Sequence, residues 1–152
     1  MAISYRLVVF DAPMLRSLIL TEEHDAQTFD AELRAFRVAF QGRQFALLIT
    51  DGILNQYLIE SHKFPFFNPL PRINGLRQLG RATYFDEYSL NRSDLQLIGL
   101  PQEHQEFIHD AIAAGATYCV TNRPEWLRLP EQNENLYGLQ IVTPSRFVQL
   151  EG

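Results

Sequence analysis

Four short apolar segments constrain the fold most strongly. Each holds five or six residues, is rich in branched side chains and is followed by polar residues, which is typical of strands buried on both faces of a parallel sheet. Longer helical patterns separate them, so the chain predicts one α/β domain, residues 1–152, with three layers (α/β/α) and a central, mainly parallel sheet. The four segments are YRLVVF (5–10), FALLIT (45–50), TYCVT (117–121) and LQIVT (139–143).

Helical periodicity fills most of the intervening chain. Apolar residues recur on one face of three segments, FDAELRAFRVAF (29–40), DGILNQYLIESH (51–62) and EHQEFIHDAIAAG (103–115). Asp51 is a possible cap at the start of the second of these helices. INGLRQLGRATYF (73–85) is predicted as a further helix, with Arg72, Arg77 and Arg81 near one side.

Composition excludes several classes of protein. The net charge is −5, which does not suggest a general nucleic-acid-binding protein. No apolar run reaches the roughly 18 residues that a membrane span needs, and the N-terminus does not resemble a signal peptide. Cys119 is the only cysteine, so no internal disulfide is possible, and we expect a buried thiol in a reducing, cytoplasmic compartment.

Polar residues stand at the carboxyl end of each predicted strand, where ligands bind in open α/β sheets. Asp11 ends the first strand, and Glu125 follows the third in TNRPEWL. Two carboxylates at one sheet edge predict a divalent-metal site for phosphate chemistry. In the alternative interpretation, Asp11 caps the helix that follows it and Glu125 is a solvated loop residue.

His104 is the histidine that the pattern places nearest this edge. It stands one turn before Phe107 and Ile108, on the inward side of its helix start. Two interpretations remain open: a residue packed at a helix end, or a ligand or proton-transfer group.

Three stretches, in their order along the chain, resemble the PIN domain family, the nuclease fold of many bacterial toxin components. They are VVFDAPMLRSLI, LLITDGILNQYLIE and EHQEFIHDAIAAGATYCVTNRPEWL, and GLQIVTPSRFVQL resembles the family's closing strand and turn. The resemblance covers almost the whole chain. It implies a metal-dependent ribonuclease that holds Mg²⁺ or Mn²⁺ with three or four acidic residues, an antitoxin-like protein partner and a homodimer.

The chain departs from the family pattern at the acidic positions. Asp11 matches the first acid, Gln56 and His104 stand at the second and third, and Arg123 and Glu125 stand in the last acidic stretch. Losing carboxylates removes most of the electrostatic reason to bind Mg²⁺, so we expect Mg²⁺ or Mn²⁺ binding to be weak or absent. An inward Arg123 would neutralise Asp11 or Glu125. Asp51, Glu103 and Glu106 are the nearby acids that we consider as replacements for the lost carboxylates.

Two functions follow from the resemblance. The first is a catalytically weakened or inactive relative of metal-dependent ribonucleases that binds RNA or a protein partner. The alternative is an active Mn²⁺- or Mg²⁺-dependent ribonuclease, a toxin component, in which Asp11 and Glu125 hold the metal and His104 ligates it or moves a proton. An unrelated α/β binding domain is a third, remote option. The aromatic residues of segment 63–90 predict a homodimer. In the alternative interpretation they complete the core of a monomer.

Overall fold

Five parallel strands form one sheet. The structure, a computed structural model, describes residues 5–23, 31–42, 44–86, 97, 99–132 and 136–151. The strand order is β3-β2-β1-β4-β5, so the first strand lies at the centre and its neighbours are reached by crossovers. The strands are β1 (Arg6–Phe10), β2 (Phe45–Ile49), β3 (Ala82–Tyr84), β4 (Tyr118–Val120) and β5 (Gln140–Val142).

Eight helices are described. They are α1 (Ala12–Glu23), α2 (Ala31–Gly42), α3 (Asp51–Lys63), α4 (Pro69–Gln78), α5 (Gln102–Ala113), α6 (Pro124–Leu127), α7 (Leu129–Gln132) and α8 (Pro144–Glu151). Helix α2 packs on α8, whereas α3 packs on α1, α4 and α5. The predicted three-layer α/β fold with a parallel sheet is therefore confirmed.

An aromatic layer fills the space between the sheet and the α2–α8 pair. Phe45 and Phe147 have ring centroids 5.1 Å apart, and Phe147 lies equally close to Phe36 and Tyr118. Such edge and tilted contacts are the favoured geometry of aromatic rings. This layer fixes α2 and α8 on the sheet face that Phe10 also occupies.

The opposite sheet face carries α3, whose start is fixed by Thr50. The Thr50 hydroxyl accepts a hydrogen bond from the Ile53 backbone N–H at 3.1 Å, so Thr50 is the N-cap and the expectation for Asp51 is wrong. Further along α3, the buried Tyr57 hydroxyl donates to the Phe10 carbonyl oxygen at 2.7 Å. That bond holds α3 against the carboxyl end of β1.

Segment 73–85 is not one helix, which corrects the prediction. Helix α4 ends at Gln78, and residues 82–84 form the edge strand β3, which pairs with β2. Gly80, with φ of +71°, turns the chain between them. Arg81 lies after the helix, and its guanidinium donates to the carbonyl oxygens of Gln41 and Phe45 at 2.9 and 3.0 Å. The part of the first helical pattern that includes Phe29 lies outside the described residues.

None of the described helices combines the length and the apolar character that crossing a membrane requires.

Candidate functional site

Asp11 is the buried acid at the centre of the sheet edge. It follows β1 directly, is 2% exposed and accepts hydrogen bonds from the Met14 N–H at 2.8 Å and the Thr121 hydroxyl at 2.6 Å. Burial raises the pKa of Asp11, although these two bonds and Arg123 oppose the rise. The predicted helix cap is therefore present, and it does not exclude Asp11 from a site.

Arg123 forms an ion pair with Asp11. Its Nε atom is 3.1 Å from Asp11 Oδ2, as an ion pair without hydrogen-bond geometry, and a terminal nitrogen is 3.9 Å from Glu125 Oε1. The Thr121 hydroxyl accepts from the Arg123 backbone N–H at 2.9 Å, and the guanidinium lies 5.5 Å from the centre of the Trp126 ring. Arg123 thus has the inward position in which it neutralises both carboxylates.

A cavity of about 340 Å³ opens beside this ion pair. One wall comes from the first turns of α1 and the other from the loop after β4. It therefore brings Asp11, Arg123 and Glu125 together, as the sequence predicts for one sheet edge. The lining residues are Asp11, Pro13, Met14, Ser17, Asn122, Arg123, Pro124 and Glu125.

His104 is half-buried and packs on Trp126 rather than lining this cavity. The Trp126 indole N–H donates to His104 Nδ1 at 3.3 Å, and the two rings meet edge-on at 5.3 Å. Because Nδ1 accepts, a neutral His104 carries its proton on Nε2. Burial first, and then the charge of Arg123, lower the pKa of His104, which favours the neutral form. The geometry agrees with the interpretation of a residue packed at a helix end.

The other predicted pocket positions lie apart from the cavity lining. Gln56 is half-buried on α3, next to Tyr57. Asp51 is exposed and accepts a hydrogen bond from the Tyr84 hydroxyl on β3. Glu103 is exposed in the first turn of α5, where its charge opposes the fall in the His104 pKa.

Glu60 is a buried acid of this region that the sequence reasoning missed. It is 7% exposed, its Oε2 lies 3.4 Å from an Arg16 nitrogen, and its charge contributes to the raised pKa of Asp11. The Arg16 guanidinium also lies 3.7 Å from the centre of the Phe64 ring. A signal was present, because Glu60 continues the buried stripe of Ile53 and Tyr57 at helical spacing.

Asp110 is a second buried acid that was not singled out. It is fully buried on α5, and its Oδ2 accepts from the Thr50 hydroxyl at 2.7 Å. Since Thr50 also caps α3, this bond ties α5 to the start of α3.

The donor set does not fit a divalent cation in this arrangement. Hard cations need several oxygen ligands around one point, and both oxygens of Asp11 already have partners, Oδ1 the Met14 N–H and Oδ2 the Thr121 hydroxyl and the Arg123 cation. Among the residues that the structure describes, no three His, Cys, Asp or Glu side chains are grouped so that they could hold a metal ion.

Comparison of the chain with family models, with curated proteins and with solved structures gave no match.

Proposed function

We propose that this chain is a PIN-like protein whose site has been closed by an arginine, and that it acts by binding RNA or a protein partner instead of hydrolysing RNA. The observation that carries the proposal is the 3.1 Å separation of Arg123 Nε from Asp11 Oδ2. The parallel sheet, with Asp11 at the carboxyl end of its central strand, is the second support.

An internal guanidinium satisfies the electrostatic need that a cation would otherwise meet. A buried carboxylate is costly unless it is paired, and Arg123 supplies one positive charge from within the chain. A divalent ion would have to displace that charge. The chain also has Gln56 and His104, instead of acids, at the positions that the resemblance assigns to the second and third acidic ligands. Metal-dependent hydrolysis is therefore not the chemistry that this side-chain set favours.

A metal-dependent cleavage assay tests the proposal. Purified protein is incubated with a fluorescent single-stranded RNA in Mn²⁺, Mg²⁺ or EDTA, and the same assay is run on Asp11→Asn. We expect no metal-stimulated cleavage that exceeds the Asp11→Asn background. Arg123→Gln is assayed in the same way. Its matched control is Arg128→Gln, which removes an exposed arginine five residues further along.

Metal-stimulated cleavage by the wild type that Asp11→Asn abolishes would contradict the proposal and assign the alternative function, an active ribonuclease. Cleavage that appears only in Arg123→Gln would instead support it, because it would show that the arginine closes the site.

A further inference from the structure

A region without acidic residues spans the end of α3, helix α4 and strand β3. Residues 61–85 contain no Asp or Glu, and their lysine and arginines give a formal charge of +4 in a chain whose net charge is −5. The acidic residues are thus confined to the rest of the chain. Two of these four cations, Lys63 and Arg77, are exposed, so they place positive charge on this part of the surface.

Two aromatic side chains, Phe64 and Phe66, follow Lys63 closely in the sequence and are exposed. Phe66 is 87% exposed, the largest exposed fraction among the described large hydrophobic residues, and Phe64 is 43% exposed. They flank Pro65 in a tight turn, in which the Phe67 N–H donates to the Phe64 carbonyl oxygen at 2.9 Å. Phe67 itself is 2% exposed, so it anchors the turn while its neighbours face solvent.

The outward face of α4 continues this region. We call the combined region the α4 surface, and it is formed by Lys63, Phe64, Phe66, Leu70, Asn74 and Arg77, each of which is exposed.

The α4 surface adjoins the candidate site. Arg16 on α1 stacks on Phe64 and pairs with Glu60, whose charge acts on Asp11. Lys63 is close enough to His104 to help lower its pKa. Arg16 therefore links Phe64 of the α4 surface to the acid that acts on Asp11.

From this arrangement we infer that the α4 surface binds single-stranded nucleic acid, with phosphates against its cations and bases stacked on Phe66 and Phe64. Proteins hold unpaired strands by combining exposed aromatic rings, on which bases stack, with cations that contact the phosphates. The inference rests on the proposed function, since it names the partner of a protein that does not cut the strand. The inference does not depend on the nucleotide sequence of the bound strand.

Two other occupants fit the surface less well. In a symmetric dimer through this surface, Lys63 and Arg77 would approach the same residues of the second copy, and like charges repel. An acidic peptide would match the charge, but the rings are exposed in the turn between α3 and α4, and a peptide needs a groove or a strand edge to bury its side chains.

Fluorescence anisotropy tests the inference with a labelled 12-nucleotide single-stranded RNA, its DNA equivalent and the corresponding RNA duplex, all in EDTA. We expect both single strands to bind and the duplex to bind less tightly. Phe66→Ala should weaken binding of the single strands about tenfold, because stacking of one base is lost. Val38→Ala is the matched control, since Val38 is 64% exposed on α2, in the other helix layer.

The cations are tested by salt dependence. Lys63→Gln together with Arg77→Gln should make the slope of log affinity against log salt less steep by about 1.4, for two phosphate contacts on a single strand. Arg146→Gln, an exposed arginine on α8, should leave that slope unchanged.

Three results would overturn the inference. The first is equal RNA affinity of Phe66→Ala and wild type. The second is tighter binding of the duplex than of the single strands, with an affinity that Phe66→Ala does not change. The third is a sedimentation mass twice 17.6 kDa that falls to 17.6 kDa in Phe66→Ala. The last would assign the surface to a second copy. Binding without cleavage supports both this inference and the proposed function, whereas binding followed by metal-dependent cleavage contradicts only the latter.

Discussion

Replacing Arg123 by methionine should destabilise the fold in a manner that depends on pH. Methionine keeps an unbranched apolar stem against Trp126 but removes the charge beside Asp11. At 3.1 Å, with an effective dielectric constant of about 20, the gross attraction of the pair is about 5 kcal/mol. Arg123 is 30% exposed, so solvent screens part of this attraction, and in the unfolded chain the guanidinium is hydrated. We therefore expect the free energy of unfolding to fall by about 2 kcal/mol at pH 7.

The sign of the pH dependence follows from the protonation of Asp11. Its pKa is raised in the folded protein above the ordinary 3.8, so its contribution to stability is complete below 3.8 and is lost as the pH rises through the folded pKa. Without Arg123 that pKa rises further, so the variant loses more stability than wild type over the same range. The difference between the two proteins should therefore fall to about 0.5 kcal/mol near pH 3.5, where Asp11 is protonated in both.

Urea unfolding at the two pH values measures the effect, and Trp126, the single tryptophan, reports it from a buried position next to the ion pair. Arg128→Met is the control, because Arg128 is exposed, and it should change stability by less than about 0.5 kcal/mol. A double-mutant cycle with Asp11→Asn gives the coupling free energy directly. An equal loss at both pH values, or a coupling below about 0.5 kcal/mol at pH 7, would refute the account of Arg123 as the counterion of Asp11.

Three further predictions concern the same region. The pKa of His104, followed by NMR, should rise in Arg123→Met and fall in Glu125→Gln, because these two charges act on it in opposite directions; shifts of the same sign would contradict this. Glu60→Gln should lower the pKa of the buried acid at the end of β1, since Glu60 helps to raise it, and a carboxyl-carbon NMR titration that shows no change would contradict the coupling. Gln56→Glu with His104→Asp should give no Mn²⁺-dependent rise in Tm unless Arg123→Ala is added, because the guanidinium still blocks the ion; a rise in the double variant alone would show that Arg123 does not exclude metal.

Sequence periodicity predicted the fold well because the central strands are buried on both faces. Segments 5–10, 45–50, 117–121 and 139–143 each became a strand that is one or two residues shorter. The edge strand β3 was missed for a physical reason. Only three residues long and partly exposed on its open side, it lacks the continuous apolar run that marks a buried strand.

The candidate site was predicted less completely than the fold. The carboxyl ends of parallel strands meet at one edge, so Asp11 and Glu125 could be placed together because each follows a predicted strand. Arg123 was considered through the resemblance, which puts it in the last acidic stretch. The direction of the His104 side chain could not, because it depends on a tertiary contact with Trp126. Glu60 escaped notice because a carboxylate on a helix is usually solvated, and only its partner on α1 explains its burial.

Alternating charges link the cavity to the α4 surface. Arg123 pairs with Asp11, the charge of Asp11 is coupled to Glu60, and Glu60 pairs with Arg16, which stacks on Phe64. An anion that draws Arg16 outward would leave Glu60 with less compensation, since its Oε2 has no hydrogen bond in the described structure. Binding at the α4 surface should therefore raise the pKa of Asp11 and weaken the ion pair between Asp11 and Arg123. The arginine that closes the site would then be coupled to the surface where a strand binds, and the Asp11 pKa with and without bound RNA would measure that coupling.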